Sequence, residues 1–193
     1  MSNLTDFFPS GGGGLTPKFE EFNASGFFTP SQALIDAGGY IEIFLVAGGG
    51  RGQAADYGGS GGEAFFKNLY LTSVSSLMVA IGGGGSLSGA NGGDSSVTGP
   101  TGSGVNLTAL GGLGGYGSPQ RNSTLNASWG SSAYNDRTAG NGVFGYGAGG
   151  TGNNSSNGVP YAKPNSGQGS SSSAISGSGY CLIKWYEEKW KIT

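Results

Sequence analysis

The sequence predicts an all-β fold, an antiparallel β-sandwich with glycine-rich loops, on three observations. Short β-branched and aromatic runs recur along the chain, no stretch keeps a 3.6-residue apolar period over three turns, and several runs stop abruptly at a glycine cluster. Sheets with one apolar face need a second layer to cover it, which favours two packed sheets with the glycine-rich connections projecting from one side.

The elements follow in chain order. Residues 19–22 and 26–29 are short strand candidates, and residues 31–37 carry enough apolar character for one short helical turn. Residues 40–47 form the clearest strand, with alternation at its start and Gly48, Gly49 and Gly50 at its end. Residues 64–71, 76–81 and 105–110 follow as further strands, the last two running into Gly82 and Gly111. Asp94, Ser95 and Ser96 are expected to stabilise a turn into a short strand at Val97. Residues 179–187 are the last strand, on which alternation turns one of Trp185 and Tyr186 inward.

Glycine supplies 43 of the 193 residues, clustered at 11–14, 48–50, 58–62, 82–85, 111–117 and 145–152. Each costs roughly 0.5–1 kcal/mol of extra chain entropy relative to alanine in a regular element. Ordering them therefore needs an offsetting interaction, and close backbone pairing that side chains would block is the available one. Glycines recur at spacings of three, as at Gly111, Gly114 and Gly117, or Gly59 and Gly62. Three residues per turn is the period of the polyproline-II type helix, which lacks internal hydrogen bonds. Bundled polyglycine-II-like segments are accordingly expected, with flexible loops as the competing reading; the runs are too short for collagen.

Composition narrows the function classes. Lys+Arg 9 against Asp+Glu 11 gives a formal net charge of −2, which offers no electrostatic attraction to nucleic acid or an anionic membrane. No apolar run is long enough for a membrane-spanning helix, so no membrane insertion is expected, and the first residues lack the basic and apolar regions of a secretory signal. The single cysteine, Cys181, lies in an apolar strand and reads as a packing thiol. Histidine is absent, which removes Ser-His-Asp and Cys-His arrangements. No glycine cluster ends in the Lys-Ser/Thr of a phosphate-binding loop. Asp56, Glu63, Asp94 and Asp136 could pair as in a glycosidase, but their serine- and asparagine-rich surroundings suggest turn-forming or solvated side chains. No catalytic residue, metal site or cofactor is expected.

The order of segments, from Phe22-Asn23-Ala24-Ser25-Gly26-Phe27-Phe28-Thr29-Pro30 through the 40–50 strand and Gly61-Gly62-Glu63-Ala64 to Val79-Ala80-Ile81-Gly82 and Asn91-Gly92-Gly93-Asp94, resembles the glycine-rich domain of bacteriophage tail-fibre and related virion adhesin proteins. The resemblance extends over about residues 22–186 and departs from the pattern at 118–141 and 153–173. It implies a compact β-structure with glycine-rich loops at a fibre tip; a homotrimer assembled into a virion in the host cytoplasm is expected.

Two domain parts are expected: an N-terminal anchor arm with a glycine linker at 1–14, and a glycine-rich β-domain at 15–193. Phe7, Phe8 and Pro9 are the anchor candidates for docking onto other virion proteins, with an N-terminal strand of the same domain as the alternative. Tyr116, Trp129, Tyr134, Phe144, Tyr146 and Tyr161 lie outside the strands, where rigid amphipathic rings could contact a bacterial surface glycan or protein receptor. Packing over the sandwich or between subunits is the competing role for these rings. The function expected is a non-enzymatic virion structural protein, a tail-fibre or spike tip or a head-fibre or decoration subunit, contributing to host attachment. A decoration or connector protein without a receptor is the first alternative. A low-complexity RNA-associated protein, suggested by Gly115-Tyr116-Gly117 and Phe144-Gly145-Tyr146-Gly147, is the second.

Overall fold

The computed structural model describes residues 15–53, 59–114, 165–170 and 175–188. In chain order they form β1 (Leu15–Phe22), β2 (Gly26–Phe28), α1 (Gln32–Asp36), β3 (Tyr40–Val46), β4 (Ala64–Tyr70), β5 (Leu77–Ala80), β6 (Ser95–Thr98), β7 (Asn106–Ala109) and β8 (Tyr180–Glu188). The strands make two four-stranded sheets, ordered β1-β8-β3-β4 and β2-β5-β6-β7. Every strand pairing is antiparallel.

Period-two alternation turns one face of each sheet inward. From the first sheet, Ile41, Ile43 and Leu45 of β3 and Cys181 and Ile183 of β8 enter the core. Leu77 and Val79 of β5, Val97 of β6 and Leu107 and Ala109 of β7 meet them from the second. Each buried aliphatic side chain of this size contributes about 1.5–3 kcal/mol over the exposed state. Trp185 packs against this core edge-on to Phe28, at a ring-centroid distance of 5.1 Å.

The helix α1 closes one side of the core. Ser31 is its N-cap, its Oγ accepting from the Leu34 N–H at 3.0 Å while Leu34 itself is buried. The same hydroxyl donates to Glu187 Oε1 at 2.6 Å, which ties the cap to β8. Gly38 and Gly39 then take φ of +100° and +70° to turn the chain into β3.

Register fixes where the glycine segments gather. Val46 at the end of β3 lies opposite Ala64 at the start of β4 and Tyr180 at the start of β8. In the other sheet, Ala80 at the end of β5 pairs with Ser96, and Ala109 at the end of β7 with Ser95. The segments 47–53, 59–63, 81–94, 110–114, 165–170 and 175–179 therefore meet at one pole of the sandwich. Leu15, opposite Glu188, lies at the other pole.

Candidate functional site: the glycine bundle

The segment 47–52 lies among the others, and its amide donors cycle through them with a period of three. Ala47 and Gly50 donate to Glu63 O and Ser60 O, at 2.9 Å each. Gly48 and Arg51 donate to Gly93 O at 3.0 Å and Ala90 O at 2.9 Å. Gly49 and Gly52 donate to the returning segments, at Gly177 O (2.9 Å) and Ser170 O (3.0 Å). Successive amides thus point to different neighbours and every third amide to the same side, as three residues per turn requires.

The same step of three recurs elsewhere in the bundle. Gly59 and Gly62 donate to Ser170 and Gly167, and Ser60 and Glu63 to Leu113 and Leu110. Ser176 and Gly179 donate to Gly85 and Gly82. These bonds join different segments, so the bundle satisfies laterally what a helix satisfies internally.

Glycine is required because the backbones touch. A Cβ on Gly48 would stand 2.1 Å from Gly83 O, and one on Gly92 would stand 2.1 Å from Gly48 O. No flexible side chain is available to yield at either contact, so the backbones themselves would have to separate.

Side chains complete the pattern where carbonyls do not reach. The amides of Leu110 and Leu113 donate to Glu63 Oε2 (2.8 Å) and Ser60 Oγ (2.7 Å), two acceptors three residues apart. Those of Gly111 and Gly114 donate to Asp94 Oδ1 (2.7 Å) and Asn91 Oδ1 (2.9 Å), again three apart. Segment 110–114 is thereby stitched on two sides by side chains at triplet spacing. Ser95 Oγ likewise accepts from Gly82 N–H, and the Ser170 and Ser176 hydroxyls meet at 2.9 Å. Among the described residues, no buried side-chain nitrogen or oxygen lacks a partner.

Two sequence expectations need correction here. Glu63 is neither solvated nor turn-forming: it is 1% exposed, and its carboxylate replaces a backbone acceptor inside the bundle. Asp94 precedes β6 as expected, yet its carboxylate reaches across to Gly111 rather than serving only a local turn. Asp56 and Asp136 lie outside the described residues, and no group of three or more His, Cys, Asp or Glu among the described residues could hold a metal. Cys181 is fully buried, and burial pushes its thiol up to about 12, so it packs rather than reacts.

The anchor candidates Phe7, Phe8 and Pro9 lie outside the described residues, as do the receptor candidates Tyr116, Trp129, Tyr134, Phe144, Tyr146 and Tyr161. On either side of the segment that carries the latter, the Gly114 amide donates to Asn91 Oδ1 and the Asn165 amide to Ser178 Oγ at 3.2 Å. The described residues that flank 115–164, Gly114 and Asn165, are both held in the glycine bundle. At the bundle's outer end, Arg51 donates through Nη1 to Ser86 O, and Leu87 and Ile175 are exposed. Sequence reasoning missed the Ser60/Glu63 and Asn91/Asp94 acceptors, although their triplet spacing matched that of the glycines. Compared with known proteins, the chain matches no family model and no curated protein.

Proposed function

We propose that this protein is a non-enzymatic bacteriophage virion protein, a fibre or spike tip or a decoration subunit, whose glycine bundle presents the 115–164 insertion to the host surface. The supporting observation is polarity. Gly114 and Asn165, the described residues on either side of 115–164, sit at the glycine pole, whereas Leu15, the first described residue after the segment with Phe7, Phe8 and Pro9, sits at the opposite pole. An arm that docks onto the particle at one pole leaves the other pole facing outward.

A display platform gains from a laterally bonded bundle. Loops held at both ends lose less conformational entropy when they bind, because part of the ordering is already complete. Many copies on one particle then convert weak individual contacts into avidity. The ligand class is a bacterial surface glycan or protein, met by Tyr and Trp rings. The two-sheet core argues against the low-complexity RNA-associated reading, which calls for no packed sandwich.

The test is adsorption of phage carrying Tyr116→Ala, Trp129→Ala and Tyr134→Ala together, with incorporation into particles measured in parallel. Reduced adsorption with normal incorporation is the expected result. Normal adsorption by fully loaded particles would replace the attachment reading with that of a decoration or connector protein. Removing residues 1–14 is expected to abolish incorporation, and unchanged incorporation would overturn the anchor role.

A further inference from the structure

The outward face of the β1-β8-β3-β4 sheet carries cross-strand rows that the register defines. One row runs Glu21, Leu182, Phe44 and Phe66; the next Phe19, Lys184, Glu42 and Asn68; the next Pro17, Tyr186, Tyr40 and Tyr70. Near the glycine pole the face is covered, with Val46 and Ala64 fully buried and Gly167 set against the Val46 side chain. Farther from that pole it is open: Phe19 is 68% exposed and Tyr70 73%. Large rings at such exposure are unusual for a solvated sheet face, and at the centre of this one lies a pair of opposite charges, Lys184 and Glu42, with Glu21 at the β1 edge.

We propose that this face pairs with the same face of a second copy about a two-fold axis parallel to the strands, passing between β8 and β3. The argument is charge complementarity. An isologous interface must be self-complementary, and here Lys184 and Glu42 are direct register neighbours on the two central strands. Rotation about that axis sets the second copy's β3 over β8 and its β8 over β3. Each Lys184 then faces the other copy's Glu42, and the reverse. The same rotation keeps each row over itself: Tyr186 meets Tyr40, Pro17 meets Tyr70 and Phe19 meets Asn68, while in the row nearest the glycine pole, where Phe44 is already buried within its own chain, Glu21 comes over Phe66.

The other two-fold docking of this face centred on the charged row lacks this match. An axis across the strands, lying along the charged row, would place Lys184 over Lys184 and Glu42 over Glu42, which like-charge repulsion opposes. In the favoured arrangement the apolar and aromatic rows supply the affinity and the central charges supply the register, since buried ion pairs specify more than they stabilise. Four strands about 4.8 Å apart over three rows make a patch on the order of 300–400 Å² per partner, below the roughly 800 Å² of a standard interface, so a weak, concentration-dependent pairing is expected. The face runs along the side of the sandwich, between the two poles, so the pairing is independent of the function proposed above and leaves both poles accessible.

The test is sedimentation of the full chain over a concentration series, with charge reversals. The native chain is expected to form a two-chain species. Lys184→Glu and Glu42→Lys are each expected to weaken it at least tenfold. An equimolar mixture of these two variants, and the double variant Lys184→Glu with Glu42→Lys, are both expected to restore it. Phe19→Lys, at an exposed edge position, is a second single-site probe and is expected to weaken pairing while leaving the melting temperature unchanged. A native chain that stays monomeric, one that forms a three-chain species, or a dimer indifferent to the charge reversals would each overturn the proposal.

Discussion

A Cβ placed on Gly49 would stand 2.2 Å from the backbone oxygen of Gln168, a residue far away in sequence that the bundle brings into backbone contact. Close approach of this kind, repeated from segment to segment, converts glycine from an entropic liability into the means by which main-chain groups satisfy one another. Gly49→Ala is therefore expected to destabilise the fold by about 2–4 kcal/mol, in the range of severe overpacking. Gly83 is the internal control: a Cβ there meets nothing within 4 Å. Gly83→Ala is expected to be neutral or to stabilise by up to about 1 kcal/mol through the unfolded chain. Urea denaturation of the two variants checks both signs.

Glu63 supplies an acceptor to Leu110 N–H from a buried position. Glu63→Gln retains a side-chain oxygen of similar reach and is expected to be tolerated better than Glu63→Leu. The latter orphans the Leu110 amide and is expected to cost about 1–3 kcal/mol. Equal losses in the two variants would show that shape, not the hydrogen bond, is what Glu63 contributes.

Ser31 and Glu187 give the fold an acid-sensitive contact. Hydrogen bonds from Ser31 and from the Trp185 indole hold the Glu187 carboxyl below its usual range. A carboxyl whose folded value is depressed stabilises the fold above its unfolded value, near 4.3, and loses that contribution as pH falls through the folded value. Stability is expected to fall from pH 5 to pH 3, and to fall less in Ser31→Ala, which also loses about 1 kcal/mol of helix capping. Because Glu187 is only partly buried, the effect is small, and denaturant midpoints at both pH values measure it.

Cys181 is buried with its thiol pushed up to about 12. A thiol reagent at pH 8 is expected to leave the native protein unmodified and to label it fully in denaturant. Rapid labelling of the native state would mean that β8 opens readily, contrary to its central place between β1 and β3.

Much of the fold was legible in the sequence because the core strands obey a local rule. Residues 40–47 alternate and then meet glycine, and β3 ends at Val46 accordingly. The runs at 64–71, 76–81, 105–110 and 179–187 likewise became β4, β5, β7 and β8, and 31–37 became the short α1. The site was less legible because its interactions are non-local: nothing near Glu63 announces that its carboxylate will serve residue 110. Triplet glycine spacing did signal the bundle, since a backbone period survives in sequence where the identity of the neighbouring segment does not. The outward rows of Phe19, Tyr40, Tyr70 and Lys184 were hidden for the same reason, their adjacency arising only from strand register.

The central claim is that the glycine segments form a laterally hydrogen-bonded, ordered bundle rather than flexible connections. Amide hydrogen exchange resolved at Gly48, Gly49, Gly50, Gly92 and Gly177 tests it most directly, because each of these amides donates to another segment. Protection comparable to that of the β3 and β8 amides is the expected result. Exchange at these glycines near unstructured-chain rates, with the strands still protected, would contradict the account.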